Sequence, residues 1–230
     1  MSIDFEDEFA NFLDTYSLML QEFFEKLKSE RFSLDNLDYS RLIANRVRAY
    51  YQAQDKAKTY LSKKKAQSGS DFFVETFLFT LKLFIETEGL NLELASEKSL
   101  QKKKKSIFPD ISLWRGDTCV CAIECKTQLG YQRHSWLSQF EDREKKLREV
   151  FPESKMFLLV MTSNNWLGFD VSDPKAGLDK SDSRVGEKFF CLLGRYPNGK
   201  GIWPIWMPED LSEEHFQHPI EQLLAKIQLL

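Results

Sequence analysis

The stretch 107-IFPDISLWRGDTCVCAIECKT-127 holds two short runs of strand character, Ile107 to Trp114 and Thr118 to Thr127, separated by Arg115-Gly116-Asp117. Aromatic and β-branched side chains favour a pleated, half-buried surface, and a Gly-Asp pair between two such runs is a turn signal, so the stretch predicts a hairpin. In the second run the two-residue period of a strand puts Val120, Ala122, Glu124 and Lys126 on one face and Cys119, Cys121, Ile123 and Cys125 on the other. Glu124 and Lys126 thus share a face at the end of an apolar strand, where burying them without a ligand or partner is costly. Thirteen residues separate Asp110 from Glu124, enough for one strand to finish, turn and return, so the two carboxylates are expected to converge.

Two converging carboxylates beside a lysine suit phosphodiester hydrolysis. That reaction needs an activated water, relief of charge on the phosphorane-like transition state and help for the leaving oxygen, and a hard divalent cation held by carboxylates supplies all three. An acid two residues before a lysine occurs four times, at Glu124/Lys126, Glu144/Lys146, Glu153/Lys155 and Asp173/Lys175. Only the first lies in an apolar, strand-like run, and it follows the chain's one Pro-Asp pair, Pro109-Asp110. The plainer role for the same residues is a strand-end ion pair at the surface.

Outward from this stretch the chain alternates helix and strand. On the N-terminal side, DFFVETFLFTLKLFIETEG (residues 71–89) predicts a buried helix with Ser70 as N-cap and Gly89 as its stop, followed by a strand at Leu90 to Leu94. On the C-terminal side a charged helix is expected from about Arg133 to Val150, then a buried strand at Lys155 to Thr162. Residues 168–186, rich in Asp, Ser, Gly and Lys, read as a long loop, a DNA-contacting flap by expectation. Strands at Phe189 to Leu193 and Ile202 to Trp206 follow, and Pro219 is expected to open a last helix. Strand, helix, strand in this order predicts an α/β fold with a mixed sheet.

The first third of the chain is different. Phe5, Phe9, Phe12, Leu13, Tyr16, Leu20, Phe23 and Leu27 recur at spacings of three and four, an amphipathic helix, and Ser40 to Lys65 predicts a second. Residues 1–30 carry eight acidic side chains against Lys26 and Lys28, whereas residues 41–65 carry Arg41, Arg46, Arg48, Lys56, Lys58 and Lys63 to Lys65 against Asp55 alone. Either the two helices pair as an antiparallel hairpin or the basic one faces DNA. The division expected is a helical region, 1–66, for dimerisation or DNA contact, and a catalytic domain, 67–230.

The residues PD at 109–110 and ECK at 124–126, with an apolar helix before and a charged one after, resemble the PD-(D/E)XK nuclease superfamily, restriction endonucleases in particular, over about residues 70–162. The resemblance implies a restriction-endonuclease-like core, a mixed central sheet flanked by helices, with an N-terminal helical extension. It implies Mg²⁺, with Mn²⁺ able to substitute, bound by Asp110, Glu124 and the main-chain carbonyl of Cys125. Lys126 would orient or deprotonate the attacking water, and products would carry 5′-phosphate and 3′-hydroxyl ends. Many members place a further glutamate on the first core helix, and Glu75 stands in the corresponding helix. Gln128 past the motif and Gln139 on the next helix are further candidates, but the Q-x3-Y of RecB-like members is not reproduced, because position 143 is Arg. For DNA contact the candidates are Lys102, Lys103, Lys104, Lys105, Gln128, Arg133 and His134, whose basic or amide groups flank the motif.

Composition bounds the rest. Hydrophobic residues make up 42% and charged residues 29%, which argues for a folded chain. No apolar run approaches the ~20 residues that span a bilayer, and the acidic start is unlike a signal peptide, so no membrane partner and a cytoplasmic location are expected. Four cysteines lack the CxxC spacing of zinc sites, which sets aside a redox or metal-storage role. The expected function is a Mg²⁺-dependent, sequence-specific, type II restriction-like endonuclease on double-stranded DNA, a homodimer with an accompanying methyltransferase. The alternatives are a repair or junction-resolving nuclease, or a non-catalytic DNA- or protein-binding module of the same fold. Against the last stands the survival of Asp110, Glu124 and Lys126 together.

Overall fold

The computed structural model describes residues 7–29, 36–64, 69–101, 106–127, 135–162, 184–193 and 211–230. Five helices and five strands run in the order α1 (Asp7–Ser29), α2 (Asn36–Tyr60), α3 (Ser70–Thr87), β1 (Glu93–Ser96), β2 (Ile111–Arg115), β3 (Thr118–Lys126), α4 (Trp136–Val150), β4 (Lys155–Thr162), β5 (Phe189–Leu193) and α5 (Glu213–Gln228). The strands form one sheet in the order β1-β2-β3-β4-β5. β1, β2 and β3 pair antiparallel, while β3–β4 and β4–β5 pair parallel. The protein is therefore α/β, with a mixed sheet flanked by helices. The expected β2–β3 hairpin forms, closing on Arg115↔Thr118 with Gly116 at φ +58°, a conformation that costs glycine little. The strand expected at 202–206 and nearly all of the loop at 168–186 lie outside the described residues.

Alternation along the strands feeds two cores. From β3, β4 and β5, Cys121, Ile123, Cys125, Phe157, Leu159 and Phe190 point toward a large cluster with α2, α3 and α5. Ala122, Met156, Leu158, Val160 and Phe189 point the other way, onto Trp136, Phe140 and Leu147 of α4. One expectation about β3 is corrected. The β2/β3 register shifts between Leu113 and Trp114, so that Leu113 faces Cys121 and Trp114 faces Cys119. Such a bulge leaves Val120 unopposed and reverses the faces before it: Cys119 joins the α4-side cluster, and Val120 packs on the opposite one. The alternation holds from Cys121 to Lys126, the part that carries the acids.

Helix ends supply two further corrections. α3 is capped by Gly69, with Ser70 its first residue; a Cβ at 69 would sit 2.8 Å from the Tyr51 hydroxyl, so only glycine allows this approach to α2. The end of α3 is as expected, with the Leu90 N–H closing onto the Ile85 carbonyl at 2.9 Å around Gly89. α5 begins six residues before Pro219, under a reciprocal cap between Ser212 and His215. Pro219 lies within the helix and removes one backbone bond, a cost of ~3 kcal/mol in an interior. Phe216 and Ile220, on either side of it and fully buried, continue one apolar stripe with Leu223, Leu224 and Ile227, and that burial outweighs the break.

The acidic and basic N-terminal helices are tied to the rest of the protein by ion pairs that run to α3 and α5. Lys28 of α1 bonds Glu86 of α3 at 2.5 Å. Arg46 of α2 bonds Glu75 of α3 at 2.7 Å, Arg41 reaches Glu213 of α5, and Arg48 bonds the Leu211 carbonyl. The three arginines of α2 are thus engaged within the protein. No described helix is long and apolar enough to cross a membrane.

Tyr39 offers a test of this packing. It is fully buried, edge-on to Phe84, and its hydroxyl has no hydrogen-bond partner. Burial pushes the phenol up to about 12, and the charges of Glu88 and Asp38 act in the same direction. A raised pKa means stability that is complete below pH ~10 and is lost as pH climbs through the folded value. Tyr39→Phe should therefore be as stable as wild type or up to about 1 kcal/mol more so at pH 7. In chemical melts between pH 10 and 12 it should lose less stability than wild type.

Candidate active site

Asp110 immediately precedes β2, and Glu124, Cys125 and Lys126 end β3, so the hairpin brings them to one end of the sheet. The Asp110 carboxylate accepts the Cys125 backbone N–H at 2.7 Å and the Lys126 ammonium at 3.1 Å. Lys126 also lies 3.4 Å from Glu124 Oε2. The expected convergence is present: both carboxylates hold the same ammonium.

The backbone explains why a further oxygen is on offer. Extending the β2/β3 register past Ile111↔Ile123 sets Pro109 opposite Cys125. A hydrogen-bonded antiparallel pair exchanges two N–H···O bonds, but proline has no N–H to give. The Cys125 N–H donates to the Asp110 carboxylate and not to the Pro109 carbonyl, and the Cys125 carbonyl, which in an extended strand points to the same edge, receives no donor from residue 109. Two carboxylates and a directed carbonyl are an all-oxygen set suited to a hard divalent cation. Among the described residues no three His, Cys, Asp or Glu side chains cluster as a metal site. The Cys125 thiol takes no part. It turns into the opposite core, where burial pushes its pKa well up and keeps it protonated.

The electrostatics are those of a site built against the cost of burial. Glu124 is 4% exposed. Desolvation holds its carboxyl above the usual range, with Asp110 adding to the shift and Arg143 and Lys126 opposing it. For Lys126, burial alone would lower the pKa, but the carboxylates of Asp110 and Glu124 outweigh it, and the ammonium is held above its ordinary value.

Arg143 of α4 is the residue that the sequence did not single out. Its Nη2 bonds Glu124 Oε1 and, at 3.1 Å, the Phe108 carbonyl, while its Nε is buried without a partner. The signal was available. Trp136, Phe140 and Leu147 form the buried stripe of α4, and the gap in that stripe, at 143–144, is filled by charge.

Glu75 does not join the cradle. It lies on α3, across the sheet from α4, and its carboxylate accepts from Arg46 and the Tyr16 hydroxyl. Gln139 bonds Ser135 within its own helix end. Lys102 to Lys105, Gln128, Arg133 and His134 lie outside the described residues. No family model matches the chain, and no curated protein matches it.

The two glutamates should respond oppositely. Because the folded protein holds the Glu124 proton more tightly than the unfolded chain does, this group's contribution is complete below the ordinary carboxylate pKa and is lost as pH rises through the raised one. At pH 7 ionised Glu124 is therefore a cost, and Glu124→Gln should melt no lower than wild type. Glu75→Gln, which leaves the partly buried Arg46 without its counter-charge, should lose about 1–3 kcal/mol. Thermal melts of the two variants side by side check both.

Proposed function

We propose that this protein is a Mg²⁺-dependent DNA endonuclease of the PD-(D/E)XK kind, with a restriction-like core, cutting phosphodiesters to 5′-phosphate and 3′-hydroxyl ends. The observation that carries the proposal is the joint hold of Asp110 and Glu124 on Lys126, at a strand end where Pro109 has no N–H to give the Cys125 carbonyl. The arrangement of the sheet, an antiparallel β1–β3 followed by a parallel β3–α4–β4 crossover, supports a restriction-endonuclease-like core.

When bound, a divalent cation would lower the pKa of water and neutralise charge on the phosphate. Asp110, Glu124 and the Cys125 carbonyl would hold it. Asp110 is fixed for this by the Cys125 N–H, which with Lys126 bonds its Oδ2. Lys126, within hydrogen-bond reach of both carboxylates, would orient the attacking water and steady a non-bridging phosphate oxygen. Water adds at phosphorus and gives up a proton to solvent, the P–O3′ bond breaks, and the 3′ oxygen leaves with a proton taken from solvent.

A homodimer, each copy cutting one strand, belongs to the proposal. Phe12 and Met19 of α1, seven residues apart and more than 60% exposed, give apolar surface at coiled-coil spacing. Met19→Glu should shift the sedimentation coefficient toward that of the monomer.

The direct test is cleavage of mixed phage and plasmid DNA. Mg²⁺ should yield discrete fragments, EDTA none, and Asp110→Asn or Lys126→Ala should lower the rate by at least about a hundredfold. A Mg²⁺-dependent smear would favour a repair or non-specific nuclease. Binding of DNA without cleavage under any divalent metal would overturn the enzyme reading.

A further inference from the structure

Arg143 occupies the position that a cation at this site must contest. Its Nη2 sits on Glu124 Oε1, the more buried of the two carboxylates, and also on the Phe108 carbonyl, two residues before Asp110. Its Nε is buried and has no acceptor. Its side chain is 36% exposed, so part of it lies open to solvent. A guanidinium has five donors in a fixed fork that matches two oxygens of a phosphate. Here that fork is only partly used.

Resting on the nuclease reading, we propose that Arg143 is a counter-ion that exchanges partners: it neutralises Glu124 in the metal-free protein, releases it when a divalent cation is bound, and then grips the phosphate to be cut. The first half follows from charge. A divalent cation on Glu124 would take over the charge that the guanidinium neutralises and repel it at close range, so the two compete. The second half follows from what remains after release. The helix that carries Arg143 stays seated by the buried Phe140 and Leu147 on either side of it, and the Phe108 carbonyl remains as a neutral acceptor for its Nη2. Having lost its anionic partner, the guanidinium is left with unsatisfied donors at the edge of the site, and a phosphate oxygen is the acceptor a DNA strand brings there. A positive side chain in this role also gives an ordered cycle, in which the acids are never left uncompensated in a buried position.

The test separates metal binding from catalysis. Mn²⁺ alone is titrated into the full chain by calorimetry, without DNA, for wild type, Arg143→Met and Arg143→Lys. Arg143→Met, which cannot compete, should bind Mn²⁺ at least about tenfold more tightly than wild type. At saturating Mn²⁺ it should cut DNA about a hundredfold more slowly. Arg143→Lys, which keeps the charge but not the fork, should bind Mn²⁺ as wild type does and recover only part of the rate. A purely structural arginine would weaken binding and rate together, and that result, or unchanged Mn²⁺ affinity in Arg143→Met, would overturn the proposal. Should Arg143→Met not fold, the wild-type protein answers: the Arg143 Nε–H signal, assigned by its loss in Arg143→Lys, should move on Mg²⁺ titration, and a signal that stays fixed through saturation would overturn the exchange. No Mn²⁺ binding by wild type or any variant would sink the nuclease reading itself, an outcome distinct from binding that ignores residue 143.

Discussion

The bond from the Cys125 N–H to the Asp110 carboxylate is the contact on which the site depends. It forms where the β2/β3 ladder stops, and it converts a backbone donor that would have paired with the neighbouring strand into a clamp on an acid. Extending the register sets Pro109 opposite Cys125. With no N–H of its own it gives the Cys125 carbonyl no donor, and in the proposed site that oxygen would complete an all-oxygen donor set. A Pro-Asp pair before one strand and a carboxylate at the end of the next are in this sense one device, expressed in two places.

Around that device the protein accepts local instability. Glu124 is buried and holds its proton above the ordinary range, while Lys126 and Arg143 are drawn in as counter-charges. An apolar core on both faces of the sheet makes this tolerable: Cys121, Ile123 and Cys125 on one side and Ala122, Leu158 and Val160 on the other hold the strand that carries the acids. The charged cluster and the apolar layers are thus separated in space, with the cost concentrated at a strand end and offset by the layers behind it.

Much of this was legible in the sequence, for identifiable reasons. The β2–β3 hairpin, β4 and the burial of α3 rest on period and turn chemistry, which are local. So does the shared face of Glu124 and Lys126, because the two-residue period is unbroken from Cys121 onward. Cys119 was assigned to the wrong face because a bulge is set by the partner strand. Pro219 was read as a helix start because the rule for proline is local, while the stripe from Phe216 to Ile227 that carries the helix through it is tertiary. Glu75 stood in the right helix for a metal ligand, yet its side chain is committed to Arg46, a partner 29 residues away that no spacing rule reveals. Arg143 was visible only as a departure from a family pattern. Its place in the gap of an apolar stripe was the better clue, and it is a physical one.

Anomalous diffraction at the manganese edge from crystals grown with Mn²⁺ tests the central claim most directly. The account predicts a peak at coordinating distance from an Asp110 oxygen, a Glu124 oxygen and the Cys125 carbonyl together. A peak elsewhere on the chain, or none at this strand end in crystals where Mn²⁺ is bound, would contradict it.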